Sequence, residues 1–313
     1  MFGIRRARGF LMVVKHMRST SWMHGAPGLE HAVRMWSGMI RHMGHKTLKA
    51  STHLTERLAG RARLAKLARL VTDEVRLDAQ NDLTTNGESI VQAFSLTGAA
   101  PVVLDVGAHY GEWSESLLSQ GGNRPTLHLF EPSAHSAAPA GSVIGDRGEV
   151  HQIALSDRSG EGCLQIVHEG AGSNSVVPFT ESQRTSGQTE TIRFTTADDF
   201  CADNDIERVR LMKVDAEGHD LPVLRGAKRM LEHKAIDLVQ FEYNHRWIDA
   251  RVFLLDAFQL LQGHGYRVGK VTPRGIEVYE RRHPELEKFV EGNYLGFVPG
   301  REAGLPLIPW WDP

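Results

Sequence analysis

Past residue 100 the chain alternates short apolar runs with amphipathic or turn-rich stretches. The runs Val102 to Val106, Thr126 to Phe130, Val150 to Leu155, Val209 to Val214 and Ile236 to Phe241 are short and mostly apolar, which predicts buried strands. Between them, Gly111 opens a segment with Trp113, Leu117 and Leu118 on one side, while Leu221 to Leu231 and Arg251 to Leu261 read as further helices. Thr195 or Thr196 is placed to cap a helix reaching Cys201. Strand alternating with helix in this order predicts an α/β, Rossmann-like domain. Gly265 to Val268, Ile276 to Tyr279 and Tyr294 to Val298 supply late strands.

Other stretches are less regular. Ser133 to Gly148 is rich in Ala, Ser, Pro and Gly and predicts a short or irregular crossover. Cys163 to Phe194 reads as an insertion with strand-like ends and a polar, turn-forming centre, Gly170 to Ser175, suited to covering a substrate. Upstream, Leu58, Leu64, Leu67, Leu70, Val71 and Leu77 recur at helical intervals with basic residues between them. That pattern predicts a basic amphipathic helix from Thr55 to about Asp78 that packs against the start of the sheet, followed by a short helix from Glu88 to Leu96. Met35, Met39 and Met43 share one face of an accessory helix. The predicted organisation is a basic helical extension over 1–80, one α/β domain over 81–300, and a tail over 301–313 without a regular period.

Charge sharpens this division. Residues 1–70 carry 14 Lys or Arg against 2 acids, a charge of +12, whereas residues 71–313 carry 22 against 36, a charge of −14. A basic head of this kind is solvated, docks on the acidic domain, or touches an anionic surface; peripheral membrane contact is the weaker reading. Phe10 to Val14 is far shorter than the ~20 residues of a spanning helix. Nor does it read as a secretory segment, because Lys15, His16 and Arg18 follow at once. The two cysteines, Cys163 and Cys201, form no zinc or redox motif and read as reduced thiols of a cytoplasmic protein. No helix-turn-helix, zinc or aromatic RNA-binding signature is present.

The candidate chemistry sits where strands end. Asp105, Gly107 and Gly111 form a turn that lets a ligand approach the backbone, and Asp105 can orient that turn or accept from an amino group. Glu131 follows the second strand, where a carboxylate can accept from both hydroxyls of a ribose. An adenosine-containing cofactor follows from that pairing. Ala108, His109 and Tyr110 stand between the glycines, and Asp105 lies beside them. Bulk and negative charge there disfavour a pyrophosphate, which a dinucleotide would bring, and favour S-adenosyl-L-methionine. A second cluster, Asp215, Glu217, His219 and Asp220, follows the strand ending at Val214, and Glu242, Asn244 and His245 follow the next. Asp215, Glu217, His219 and Glu242 are the candidate catalytic residues for taking a proton from a hydroxyl. His219 has the best unperturbed proton affinity for that task, and Asp215 the better strand-end position. Oxygen ligands from neighbouring strand ends make a divalent ion conceivable, but no spacing requires one and no metal is assigned.

Taken together, Leu104-Asp-Val-Gly-Ala-His-Tyr-Gly111, Leu129-Phe-Glu-Pro132, Ile153-Ala-Leu-Ser-Asp157, Lys213-Val-Asp-Ala-Glu-Gly-His-Asp220 and Val223-Leu-Arg-Gly226 resemble the FkbM-type methyltransferases over roughly residues 100–300. The resemblance implies a seven-stranded, S-adenosylmethionine-dependent methyltransferase fold and O-methylation of a small hydroxylated metabolite or glycan. It also implies that Asp105, Gly107 and Gly111 form the cofactor loop, that Glu131 faces ribose and that Ala154 lies near adenine. His109 stands where the family often has Asn, and Asp220 where it often has Glu. Two other readings remain: an NAD(P)-dependent oxidoreductase, which the missing G-x-G-x-x-G disfavours, and a noncatalytic binding protein that kept the fold.

Overall fold

The computed structural model describes residues 60–78, 82–98, 100–179 and 186–309. The chain divides into two compact units, Met1–Val71 and Thr72–Pro313. The Met stripe and the early histidines lie outside the described residues. Helix α1 (Arg61–Val75) falls within the expected basic amphipathic segment; Val75 in its last turn is exposed, and Leu77 just past it is partly buried.

The second unit continues through α2 (Glu88–Ser95), β1 (Val102–Val106), α3 (Glu112–Ser119), β2 (Thr126–Phe130), α4 (Ala134–Ile144), β3 (Glu149–His151) and β4 (Ala154–Leu155). Next come β5 (Gly160–Ile166), β6 (Gln188–Thr195), α5 (Ala197–Asp203), β7 (Val209–Val214), α6 (Asp220–Arg225), α7 (Lys228–Glu232) and β8 (Ile236–Tyr243). The last elements are α8 (Arg246–Ala250), α9 (Leu254–Gly263), β9 (Arg267–Thr272), β10 (Gly275–Tyr279), β11 (Gly292–Phe297) and β12 (Leu307–Pro309).

Nine strands form one mixed sheet in the order β12-β10-β9-β11-β8-β7-β1-β2-β3, two more than the resemblance implies. Strands β3, β2, β1, β7 and β8 are parallel, and β11 runs antiparallel between β8 and β9. Alternation within the parallel strands fills both faces. Leu104, Phe130, Met212 and Val239 pack with Phe200, Leu221 and Phe258 on one side, whereas Val103, Leu129, Leu211 and Leu238 pack with Val91, Trp113 and Ile144 on the other. The α/β, Rossmann-like architecture therefore follows from the continuous apolar runs.

Register then lines up the strand ends. Val106 pairs with Phe130 on one side and with Val214 on the other, and Val214 pairs with Phe241. Glu131, Gly107, Asp215 and Glu242 are each the next residue, so all four fall on one row at the carboxyl edge of the sheet. This is also the switch point, since the chain leaves β1 toward β2 and later returns to its other side as β7. Open α/β sheets bind ligands in that crevice.

Several elements differ from the sequence expectation. The expected irregular crossover contains the 11-residue helix α4, which buries Ser136, Ala137, Ala140 and Ile144 and keeps Pro139 on its exposed side. A helical face of small residues offsets the low propensity of its Pro and Gly. The expected strand Val150 to Leu155 is two strands: β3 ends the large sheet, and β4 pairs with β6 in a separate sheet ordered β4-β6-β5. The helix expected over Leu221 to Leu231 divides around Gly226, where a Cβ would overlap the carbonyl of Ser156. Close packing of two loops outweighs helix continuity there. Finally, the stretch expected to be an irregular tail adds β12 beside β10.

Candidate active site

Gly107 turns the chain at the end of β1 with φ +79°, and a Cβ on it would strike the Asp215 carbonyl. The amides of Gly107 and Ala108 donate to the Phe130 carbonyl at 2.9 and 3.1 Å, and the Asp215 amide donates to the Val106 carbonyl at 2.9 Å. Three strand ends are thereby tied together. Gly111 stands away from the cleft at φ +86°, where it caps α3 and packs near Ala140 and Ile144.

Glu131 is buried at the tip of β2. Its Oε1 accepts from the Ser133 amide and its Oε2 from the His109 amide, both at 2.9 Å. Each oxygen keeps a second acceptor site. Burial pushes the carboxyl up to about 7, against the two hydrogen bonds, which favour the anion. His109, itself at positive φ, also reaches the Gly170 carbonyl through Nε2 at 3.1 Å.

A cleft open to solvent lies beside these loops. Gly107, Glu131, Ala154, Asp215, Glu217 and His219 line it, with Phe130, Leu155 and Leu164 as an apolar wall. Ala171, Gly172, Asn174, Ser175 and Val176 come from the insertion expected to cover a substrate. That segment is strapped down: Ser175 Oγ donates to the Glu217 carbonyl at 2.7 Å, and Arg246 Nη2 donates to the Val177 carbonyl at 2.8 Å. Residues 180–185 of the insertion are outside the described residues.

Asp105 does not face the cleft. It is fully buried, accepts from Ser114 Oγ at 2.6 Å and pairs with Lys213 Nζ at 3.3 Å. Lys213 also reaches Asp215 at 3.4 Å. Burial alone would pull the Lys213 ammonium down, but Asp105, Asp215 and Glu88 together hold it above its ordinary value. Glu88 belongs to the same interior network, accepting from Asn86, Trp113 and Gln240 at 2.7, 2.8 and 2.5 Å.

Asp215, Glu217 and Glu242 bring carboxylate oxygens within 4.8 Å of one another, a set that could hold a divalent ion. Burial, with Asp215 and Asp220 beside it, pushes Glu217 up to about 8, with Arg246 opposing. Glu242 is raised well above its ordinary value by burial and by Asp215, Glu217 and Asp220. Asp220 accepts from the Ala216 and Gly218 amides at 3.2 and 3.1 Å, closing the loop, while burial raises it to about 7.

His219 belongs to the other wall. Its Nε2 lies 2.9 Å from Ser156 Oγ, its ring is 5.9 Å from Phe194, and burial lowers it to about 4. Its ordinary proton affinity, the reason for choosing it from sequence, is not retained. Sequence reasoning placed Ser175 only at the end of the turn-forming centre of the insertion and missed Arg246; only the tertiary fold brings the 170–177 segment and the start of α8 to the β7 loop.

The model of the methyltransferase FkbM domain matches residues 105–268, slightly more than half of the chain. The chain belongs to the FkbM methyltransferase family. No curated protein matches it significantly. Among solved structures it is similar to methyltransferase FkbM from Methylobacillus flagellatus KT, at 20% identity and a TM-score of 0.41. That likeness covers 64% of this chain and 44% of the Methylobacillus protein. It is also similar to the precorrin-6y C5,15-methyltransferase from Geobacter metallireducens GS-15, at 10% identity and a TM-score of 0.36, over 67% of this chain and 87% of that one. This FkbM-family chain brings Gly107, Glu131, Ala154, Asp215, Glu217 and His219 to the cleft and holds Asp105 and Lys213 in the interior behind it.

Proposed function

We propose that this FkbM-family chain transfers a methyl group from S-adenosyl-L-methionine to a hydroxyl oxygen of a small metabolite or sugar. The observation that carries the reading is the row of Glu131, Gly107, Asp215 and Glu242 at the carboxyl edge of the sheet, the first three of which line one cleft. Residues 81–300 would form the methyltransferase domain. Its seven-stranded core would run from β3 to β9 in sheet order, with β10 and β12 as additions, a basic extension over 1–80 and a tail over 301–313.

The residues present fit the methyl donor. The open acceptor sites on Glu131 suit the two ribose hydroxyls, and Ala154, Leu155, Leu164 and Phe130 suit the adenine face. The space at Gly107 suits the amino-acid end, while Asp215 and Glu217 suit a cationic sulfonium. Asp105 would act from behind, holding the loop through Ser114 and Lys213. When bound, the donor supplies an electrophilic methyl carbon.

Glu217 is the base the site supports best, because it lines the cleft and its raised carboxyl gives a strong proton acceptor once ionised. Asp215 is engaged by Lys213, Glu242 lies buried behind the wall, and His219 is engaged by Ser156. Asp215 and Glu242 would set the charge around Glu217, and His219 would fix the wall next to the adenosine.

A panel of hydroxylated metabolites and sugars, incubated with methyl-labelled donor and read by mass spectrometry, tests this. The label should appear on the oxygen of at least one acceptor. Donor binding without transfer to any acceptor would instead support a binding protein, and tight NADH binding without donor binding would support an oxidoreductase.

A further inference from the structure

Strands β2 and β3 pair in parallel with His128 opposite Glu149 and Phe130 opposite His151. Alternation puts His128, Glu149 and His151 on the same face, because each lies an even number of positions from its neighbour or stands directly across the ladder. The face is the one packed by Phe200, whose ring makes edge contacts with both imidazoles at 5.3 and 4.8 Å. His128 is buried, His151 is mostly buried, and Glu149 is exposed at the sheet edge.

Three ligand atoms converge there. His128 Nδ1 and His151 Nε2 are 3.1 Å apart, and Glu149 Oε2 is 3.7 and 3.9 Å from them. The circumradius of a triangle with sides of 3.1, 3.7 and 3.9 Å, the product of the sides over four times the area, is about 2.1 Å. That is the ordinary ligand distance of zinc, about 2.0–2.1 Å to imidazole nitrogen and about 2.0–2.2 Å to carboxylate oxygen. Two imidazoles and one carboxylate are also a donor set suited to zinc, and too poor in oxygen to select calcium or magnesium. Glu149 stands at the exposed edge, from which water would supply a fourth ligand.

We propose that His128, Glu149 and His151 form a zinc site that staples the edge strand β3 to β2. The site is separate from the carboxylates at Asp215, Glu217 and Glu242 and does not depend on the proposed methyl transfer. Its purpose is visible in what His151 supports. The His151 carbonyl accepts from the Glu131 amide at 3.1 Å, and its ring stacks on Phe130 at 5.2 Å. Strand β3 has only three residues, so fixing His151 and Glu149 to His128 holds most of the strand.

The test uses the full chain stripped with a chelator. It is titrated with zinc chloride by calorimetry and with cobalt(II) chloride by visible absorption, beside the His151→Gln and Glu149→Gln variants. The wild type should take up one equivalent that His151→Gln loses and Glu149→Gln binds at least about tenfold more weakly. Cobalt should give the intense ligand-field bands of four or five ligands, and zinc should raise the unfolding midpoint of the wild type more than that of either variant. The chain has 16 histidines, so binding elsewhere is expected to survive in both variants. No zinc uptake, or uptake identical in wild type and both variants, would overturn the site. If His151→Gln fails to fold by circular dichroism, Glu149→Gln decides, because that residue is exposed and its loss leaves the packing in place.

Discussion

Glu131 combines two properties that usually exclude each other: it accepts two backbone amides, and yet burial holds it near 7. Ribose hydroxyls donating to the same carboxylate would favour its anion. S-adenosylhomocysteine, which lacks the sulfonium charge, should therefore bind more tightly as pH rises from 6 to 8 and should release a proton on binding. Calorimetry in buffers of different ionisation enthalpy checks both; affinity independent of pH would remove the ribose contact from Glu131. Glu217 is the corresponding residue for turnover. A base raised to about 8 works only when ionised, so turnover should climb with pH up to about 8 and level off above it. Glu217→Gln should lower kcat at least about 100-fold and flatten that profile while leaving S-adenosylhomocysteine affinity within a few fold. An unchanged profile in the variant would assign the proton to another group.

At the scale of elements, the strands and their acidic tips were legible because continuous apolar runs admit few alternatives and because the chemistry sits one residue past each run. Glu131, Asp215 and Glu242 could be placed on one edge from sequence for that reason. What could not be read was tertiary. The helix Ala134–Ile144 hides in a composition of Ala, Ser, Gly and Pro, and the division between β3 and β4 depends on a second sheet that pairs only through β6. From sequence, Asp105 near the end of the first strand could either orient the turn or accept from an amino group; its side chain points to strand β7, where Lys213 meets it. That contact predicts a large effect. Lys213→Met would leave Asp105 and Glu88 buried without their cation and should destabilise the fold by about 3–5 kcal/mol, measured by urea unfolding. A loss under 1 kcal/mol would mean that the network relaxes around the missing charge.

Over the whole molecule, the cleft concentrates carboxyls that keep protons the unfolded chain has shed. Glu131 and Asp220 are raised to about 7, Glu217 to about 8, and Glu242 well above its ordinary value. Where the native state binds more protons than the unfolded state, stability falls as pH rises. His219, lowered to about 4, acts in the opposite sense but only below the ordinary imidazole range near 6.5. The thermal midpoint of the ligand-free protein should therefore drop between pH 6.5 and 8, with a shallower drop in Glu217→Gln. A midpoint that rises through this window would contradict the burial of these groups. Among the described residues no helix is long and apolar enough to cross a membrane. The central claim, that the edge row of Glu131, Gly107 and Asp215 holds an adenosyl donor, is tested most directly by calorimetric titration of the wild type and Glu131→Ala with S-adenosylhomocysteine. One equivalent should bind the wild type and the variant should bind about 10- to 100-fold more weakly, the worth of one or two hydrogen bonds to a charged group; equal affinity in the two proteins, or no binding to either, would contradict it.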